Sequence, residues 1–150
     1  MKIRMVLSLI LMIGCIGLAA CTTANADSAG KPDLSVQAVY ADFTSSTNKT
    51  VNKSVELMVG QKVAVSLWSN PTTGYSWSEQ AAIQNGALVT QLDHQFVAPT
   101  GSQVVGAAGS EEWTFQTAAT GDTTVTLQYG QPWAGGEKAI YTFVLTVSVR

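Results

Sequence analysis

Few side chains in this sequence could make or break bonds. There is one histidine, two cysteines and ten carboxylates, with a scatter of serines. With His94 alone, and no cysteine beyond Cys15 and Cys21, a metal would have to rest on carboxylates only, and no such spacing is visible. Glu111 and Glu112 are adjacent, so on a strand they point to opposite faces and cannot work as an acid–base pair. Asp93 beside His94, together with the serines, supplies the parts of a Ser/His/Asp triad. The Gly-x-Ser-x-Gly elbow that would present the nucleophile is missing. A lone histidine next to an aspartate reads as plain strand surface. No catalytic residue, metal or cofactor is expected, and the chain does not read as an enzyme.

The informative side chains sit instead in turns. Asn70, Pro71, Thr72, Thr73, Gly74 and Tyr75 follow a clean strand pattern, and Gly130, Gln131, Pro132, Trp133, Ala134, Gly135 and Gly136 precede another. A turn uses Asn, Pro and Gly for backbone reasons but requires neither two threonines nor a tryptophan. Asn70 could bond backbone amides two residues on, Pro71 fixes φ, and Gly74 supplies a positive φ if one is needed. The same six residues equally describe a well-made turn between strands. Trp133, amid Gly, Pro and Ala, reads as an exposed anchor of the kind that docks on a partner. A third stretch, Gly106, Ala107, Ala108 and Gly109, has no bulky side chain and could lie along a partner through its backbone. Judged alone, it reads as a linker.

The elements that must hold these stretches are strands. Val63, Val65 and Leu67 alternate with Ala64, Ser66 and Trp68; Trp113 and Phe115 with Thr114 and Gln116; Val125, Leu127 and Tyr129 do likewise. In the last segment Tyr141, Phe143, Leu145, Val147 and Val149 share a face. Short strands with turns at regular spacing predict an all-β, immunoglobulin-like antiparallel sandwich. Its core should contain Val65, Leu67, Trp113, Phe115, Val125, Leu127, Phe143 and Leu145, with Trp68 and Trp77 also inside. Residues 79–85 hold the one candidate helical turn, and the polar stretch 45–53, with glycosylation-like triplets at Asn48 and Asn52, reads as a loop or hairpin tip.

Export is written at the front of the chain. Lys2 and Arg4 precede an uncharged apolar run over 5–17, too short to span a bilayer comfortably and suited to a signal peptide. Leu18-Ala19-Ala20-Cys21 resembles the bacterial lipobox, while Ala24-Asn25-Ala26 offers ordinary secretion as the rival. Residues 1–20 are expected to be removed, Cys21 to be lipidated, and 21–33 to tether the domain over 34–150 to a membrane. Thr22, not aspartate, at the next position favours the outer membrane. Cys15 leaves with the signal and Cys21 carries the lipid, so the mature domain has no disulfide and must rely on a hydrophobic core. It keeps six basic residues against ten acidic ones, a net charge of 6 − 10 = −4. Without a basic patch, nucleic acid is not a partner.

Taken in order, the three stretches resemble the chagasin family of papain-like cysteine-protease inhibitors, over residues 55–149. That family has an Asn-Pro-Thr-Thr-Gly-aromatic loop, a Gly-x-Gly-Gly loop and an Arg-Pro-Trp loop. The first motif is complete at Asn70 to Tyr75. Ala108 stands where glycine is usual, and Gln131 replaces the arginine before Pro132 and Trp133, losing a charge and a fork of donors. The resemblance implies a monomeric, reversible, tight-binding inhibitor whose three loops cluster at one end, with the arch from Asn70 to Gly74 entering a protease cleft. Other readings left open by the residues are a non-inhibitory envelope module, an inhibitor of another enzyme such as lysozyme, and an unrecognised hydrolase.

Overall fold

The computed structural model describes residues 36–41, 43, 49–99 and 106–150. The signal segment, Cys21, the tether over 21–33 and Asn48 lie outside the described residues.

Within them, residues of alternating polarity form strands whose apolar faces meet. One sheet has the order β1 (Val36–Ala41), β3 (Lys62–Ser69), β7 (Gly109–Thr117), β6 (Val89–Val97). The other runs β2 (Thr50–Leu57), β9 (Tyr141–Val149), β8 (Gly121–Gly130), β4 (Ser76–Trp77), with β5 (Ala82–Ile83) also pairing with β8. In β3, β7, β8 and β9 every second residue is buried, and these residues form one core. All eight core residues expected from alternation are fully buried, at 0% exposure. Trp77 is buried as expected, whereas Trp68 is half-buried and packs against the core from its margin.

Each sheet is antiparallel except at one edge: β1 runs parallel to β3, and β2 parallel to β9. Alternation tells which face of a strand is buried but not which neighbour it pairs with, so strand direction was not legible. Two local expectations are corrected. Thr50, Val51, Asn52 and Lys53 are not a hairpin tip; they pair with Thr142, Phe143, Val144 and Leu145 as the start of β2. The strand lies at a sheet edge, where polar and Lys side chains are well tolerated and discourage further pairing. Residues 79–85 form no helical turn, because Ala82 and Ile83 pair with Thr126 and Val125.

Leu127 faces the core at 0% exposure while Gln128 points outward. Leu127→Ala should destabilise the domain by about 2–5 kcal/mol, and Gln128→Ala by less than about 0.5 kcal/mol, read by chemical unfolding.

Candidate functional site

The arch begins where β3 ends. Pro71–Thr73 make a single 3-10 turn, and Gly74 closes it in the left-handed region at φ 82°, its N–H donating to Pro71 O at 3.0 Å. The Asn70 side chain does not bond the local backbone amides expected of it. Its Oδ1 accepts the Thr72 hydroxyl at 2.6 Å, and its Nδ2 donates across to Gly106 O at 3.3 Å. The Thr73 hydroxyl donates to Asn70 O at 2.7 Å. Both threonine hydroxyls therefore brace the arch from within, while Pro71, Thr72 and Thr73 stay exposed. Tyr75 stacks on Tyr129 at 6.0 Å between ring centroids and anchors the arch to an aromatic floor that includes Trp77 and Trp68.

The other two stretches converge on the arch. Gly106 receives the Asn70 bond, and Ala107 and Ala108 follow it into β7. Gly109 is not a loop residue but the first residue of β7, paired with Ser69. A Cβ there would lie 2.3 Å from Val97 O, so its glycine serves the close approach of β6. From the other side Trp133, 50% exposed, lays its ring edge against Gly74, where a Cβ would sit 3.1 Å from the indole. The Gln131 Oε1 accepts the Glu137 N–H at 2.9 Å, and the Lys138 ammonium donates to Gln131 O and to Trp133 O. Tyr75 Oη donates to Glu137 Oε2 at 3.0 Å, which joins the stretch that carries Trp133 to the arch a second time.

Beneath the arch lies a group that sequence reasoning missed. Glu111 is buried, at 3% exposure, and accepts from Ser69 Oγ at 2.6 Å and from the Trp77 N–H at 3.0 Å. Its other oxygen meets His94 Nε2 at 2.9 Å, and the His94 ring stacks on Trp113 at 4.8 Å. His94 is thus not plain strand surface. Extending the Trp113/Phe115 alternation by one step would have placed Glu111 inside. His94 had no such signal: β6 slips register between Gln91 and Asp93, and that bulge turns His94, not Asp93, toward the core face. The carboxylate lies between the serine and the histidine, so the imidazole does not reach the Ser69 hydroxyl, and Ser69 is itself fully buried. This is an ordering network, not a nucleophile with its base. Among the described residues no group of three His, Cys, Asp or Glu is placed to hold a metal.

Residues 56–147 match the chagasin family of peptidase inhibitors, described as Chagasin family peptidase inhibitor I42. The chain belongs to this family. Chagasin of Trypanosoma cruzi is 33% identical over 85 residues, which is 55% of this chain and 76% of chagasin. Amoebiasin-2 of Entamoeba histolytica is 25% identical over 111 residues, 74% of this chain and 89% of that protein. The crystal structure of a cysteine protease inhibitor from Entamoeba histolytica is similar with a TM-score of 0.59 at 19% identity, covering 77% of this chain and 97% of that one. PbICP-C, solved in complex with falcipain-2, gives 0.53 at 14% identity, covering 76% and 99%. At these identities the two structures speak for the sandwich fold.

The departures of this chagasin-family member from the family loops have local explanations. Ala108 is tolerated where glycine is usual, since the position that admits no side chain is Gly109. Gln131 is an acceptor in its own loop, which an arginine could not be. The Tyr75–Glu137 bond can be tested directly. That bond raises the Tyr75 phenol above its ordinary value of 10.0, with desolvation and the Glu137 charge acting the same way. Because the folded value is raised, the bond's contribution is fully present below the ordinary value and is lost as pH rises through the raised one. In an absorbance titration Tyr75 should contribute a late step. Tyr75→Phe should remove that late step, and Glu137→Ala should return it toward 10.0.

Proposed function

We propose that this protein is a reversible, tight-binding inhibitor of papain-like cysteine proteases that blocks the active-site cleft with three stretches of chain. The observation that carries the reading is the convergence of family-type loops on one edge, with Asn70 bonded to Gly106 and Trp133 seated on Gly74. The arch from Asn70 to Tyr75 enters the cleft and covers the catalytic thiol with Thr72, Thr73 and Gly74. Gly106, Ala107 and Ala108 approach along one wall through their backbone, with Gly109 fixing where that segment leaves the sheet. Gln131, Pro132 and Trp133 cover the other wall. No covalent step is involved. The arch is already hydrogen-bonded into its shape, so little conformational freedom is lost on docking. An interface of this kind buries roughly 800 Å² per partner. We further propose that the protein acts as a monomer from a bacterial envelope membrane, lipidated at Cys21 and tethered by 21–33.

Trp133→Ala should weaken inhibition of papain about thirtyfold or more, as expected for an aromatic anchor worth about 2 kcal/mol. Because half of the side chain is already exposed, the melting temperature should hardly move. Thr73→Arg should be more severe, since the longer side chain blocks entry of the arch. If the domain leaves papain and cathepsin L-like enzymes fully active at micromolar excess, a plain envelope binding module replaces this reading. Mass spectrometry of the native protein should find an N-terminal lipidated Cys21; an unlipidated chain beginning at Asp27 would overturn the anchor.

A further inference from the structure

We infer that Glu111 is a positioning residue for the arch, its buried carboxylate tying both feet and so fixing where the arch stands. The inference rests on the arch being the inhibitory element. One foot is Ser69, the last residue of β3 in the first sheet; the other is Trp77, the last residue of β4 in the second. A single oxygen, Oε1, accepts from both, at 2.6 Å from Ser69 Oγ and 3.0 Å from Trp77 N. The tie therefore runs across the sandwich, between strands that share no backbone ladder. His94 completes the set from β6 at 2.9 Å and covers the carboxylate on its solvent side, being 20% exposed itself. A second tie, Trp77 Nε1 to Trp68 O at 2.8 Å, joins the same two strands one residue further back on β3.

A buried carboxylate is a poor way to gain stability, because apolar side chains of similar volume usually do as well. No apolar side chain could receive the Trp77 N–H and the Ser69 hydroxyl together. What Glu111 contributes is the spacing of the feet, and through them the geometry of Asn70 to Tyr75.

The test compares Glu111→Ala with Val147→Ala, a core change near the opposite end of β9, in the full soluble domain. Amide hydrogen exchange is read at Thr73, Gly74 and Trp77, with Leu145 as the internal reference, at conditions matched for global stability. Glu111→Ala should speed exchange at the first three amides roughly tenfold more than Val147→Ala does, and should weaken papain inhibition roughly tenfold, the cost of ordering a loosened segment on docking. Glu111→Gln should lie closer to wild type, since its amide oxygen still accepts from Trp77. If Glu111→Ala does not fold, Ser69→Ala takes its place and should speed arch exchange about threefold, in keeping with the loss of a single hydrogen bond. Equal arch exchange in the Glu111 or Ser69 variant and in Val147→Ala overturns the inference. Absence of papain inhibition by the wild type, with the exchange pattern as expected, would overturn the proposed function and leave the role of Glu111 standing.

Discussion

A carboxylate at the end of an apolar core must be met by donors on every side, because an unpaired buried charge costs several kcal/mol. Glu111 sits in that position, and its three partners come from three different strands. Ser69 is drawn inside as the last inward residue of β3. The N–H of Trp77 is turned toward the carboxylate while its ring packs with Phe43, Trp113 and Tyr129. His94 reaches it only because β6 carries an extra residue at Leu92. At the opposite end of β7 from Glu111, Thr117 takes the inward place and shares its hydroxyl proton between Met58 O and Gln61 O. The apolar layer of β7 is thus closed by a polar residue at each end, Thr117 at one and Glu111 under the arch. Among the described residues no buried side-chain nitrogen or oxygen lacks a partner, so the irregularities at this end of the sandwich are accounted for by one group.

The loops above Glu111 close on each other because side chains are absent where backbones meet. Gly74 allows the Trp133 ring to lie against the arch and also takes the left-handed conformation that ends its turn. Gly109 lets β6 cross close to β7 just where the segment from Gly106 enters the sheet. Small residues thus set distances, while Pro71 and Pro132 restrict the backbone beside them. The exposed features that remain, Thr72, Thr73 and the outer part of Trp133, stand on a base that is hydrogen-bonded throughout. Such bracing in the free protein favours any docking surface, since each segment that must be ordered on binding subtracts from affinity.

Much of this was legible from the residues, for identifiable reasons. Period-two alternation places Val65, Phe115, Leu127 and Leu145 inside whatever the topology, because a strand has only two faces. Asn70 to Gly74 read as a turn because Pro and Gly leave the backbone few choices, and the φ of Gly74 agrees. What alternation could not convey was pairing: the parallel edges formed by β1 and β2 depend on the chain changing sheets between consecutive strands. The polar start of β2 looked like a loop because an edge strand is free to be polar. His94 was misjudged because one bulged residue reverses which neighbours face inward, and a bulge leaves little trace in composition. Glu111 was misjudged for a different reason. Its neighbour Glu112 was given equal weight, although only one of the two continues the face set by Trp113.

Gln131 shows how a departure from a family motif can be compensated inside a loop. An arginine there would present donors and a positive charge outward, and glutamine appears as a loss when only donors are counted. In this chain the Gln131 backbone N–H donates to Glu137 O at 2.7 Å, while its side-chain oxygen accepts from Glu137 N at 2.9 Å. The two bonds clamp the base of the segment that carries Pro132 and Trp133. A hydrogen bond of this kind contributes about 0.5–1.5 kcal/mol, and here it acts on the position of the exposed indole. A cation is still present: Lys138 lies within the loop, but its ammonium is taken up by the carbonyls of Gln131 and Trp133. Arginine at 131 would forfeit the acceptor and place a second cation beside Lys138. Glutamine and Lys138 therefore work as a pair that braces the base of the loop carrying Trp133.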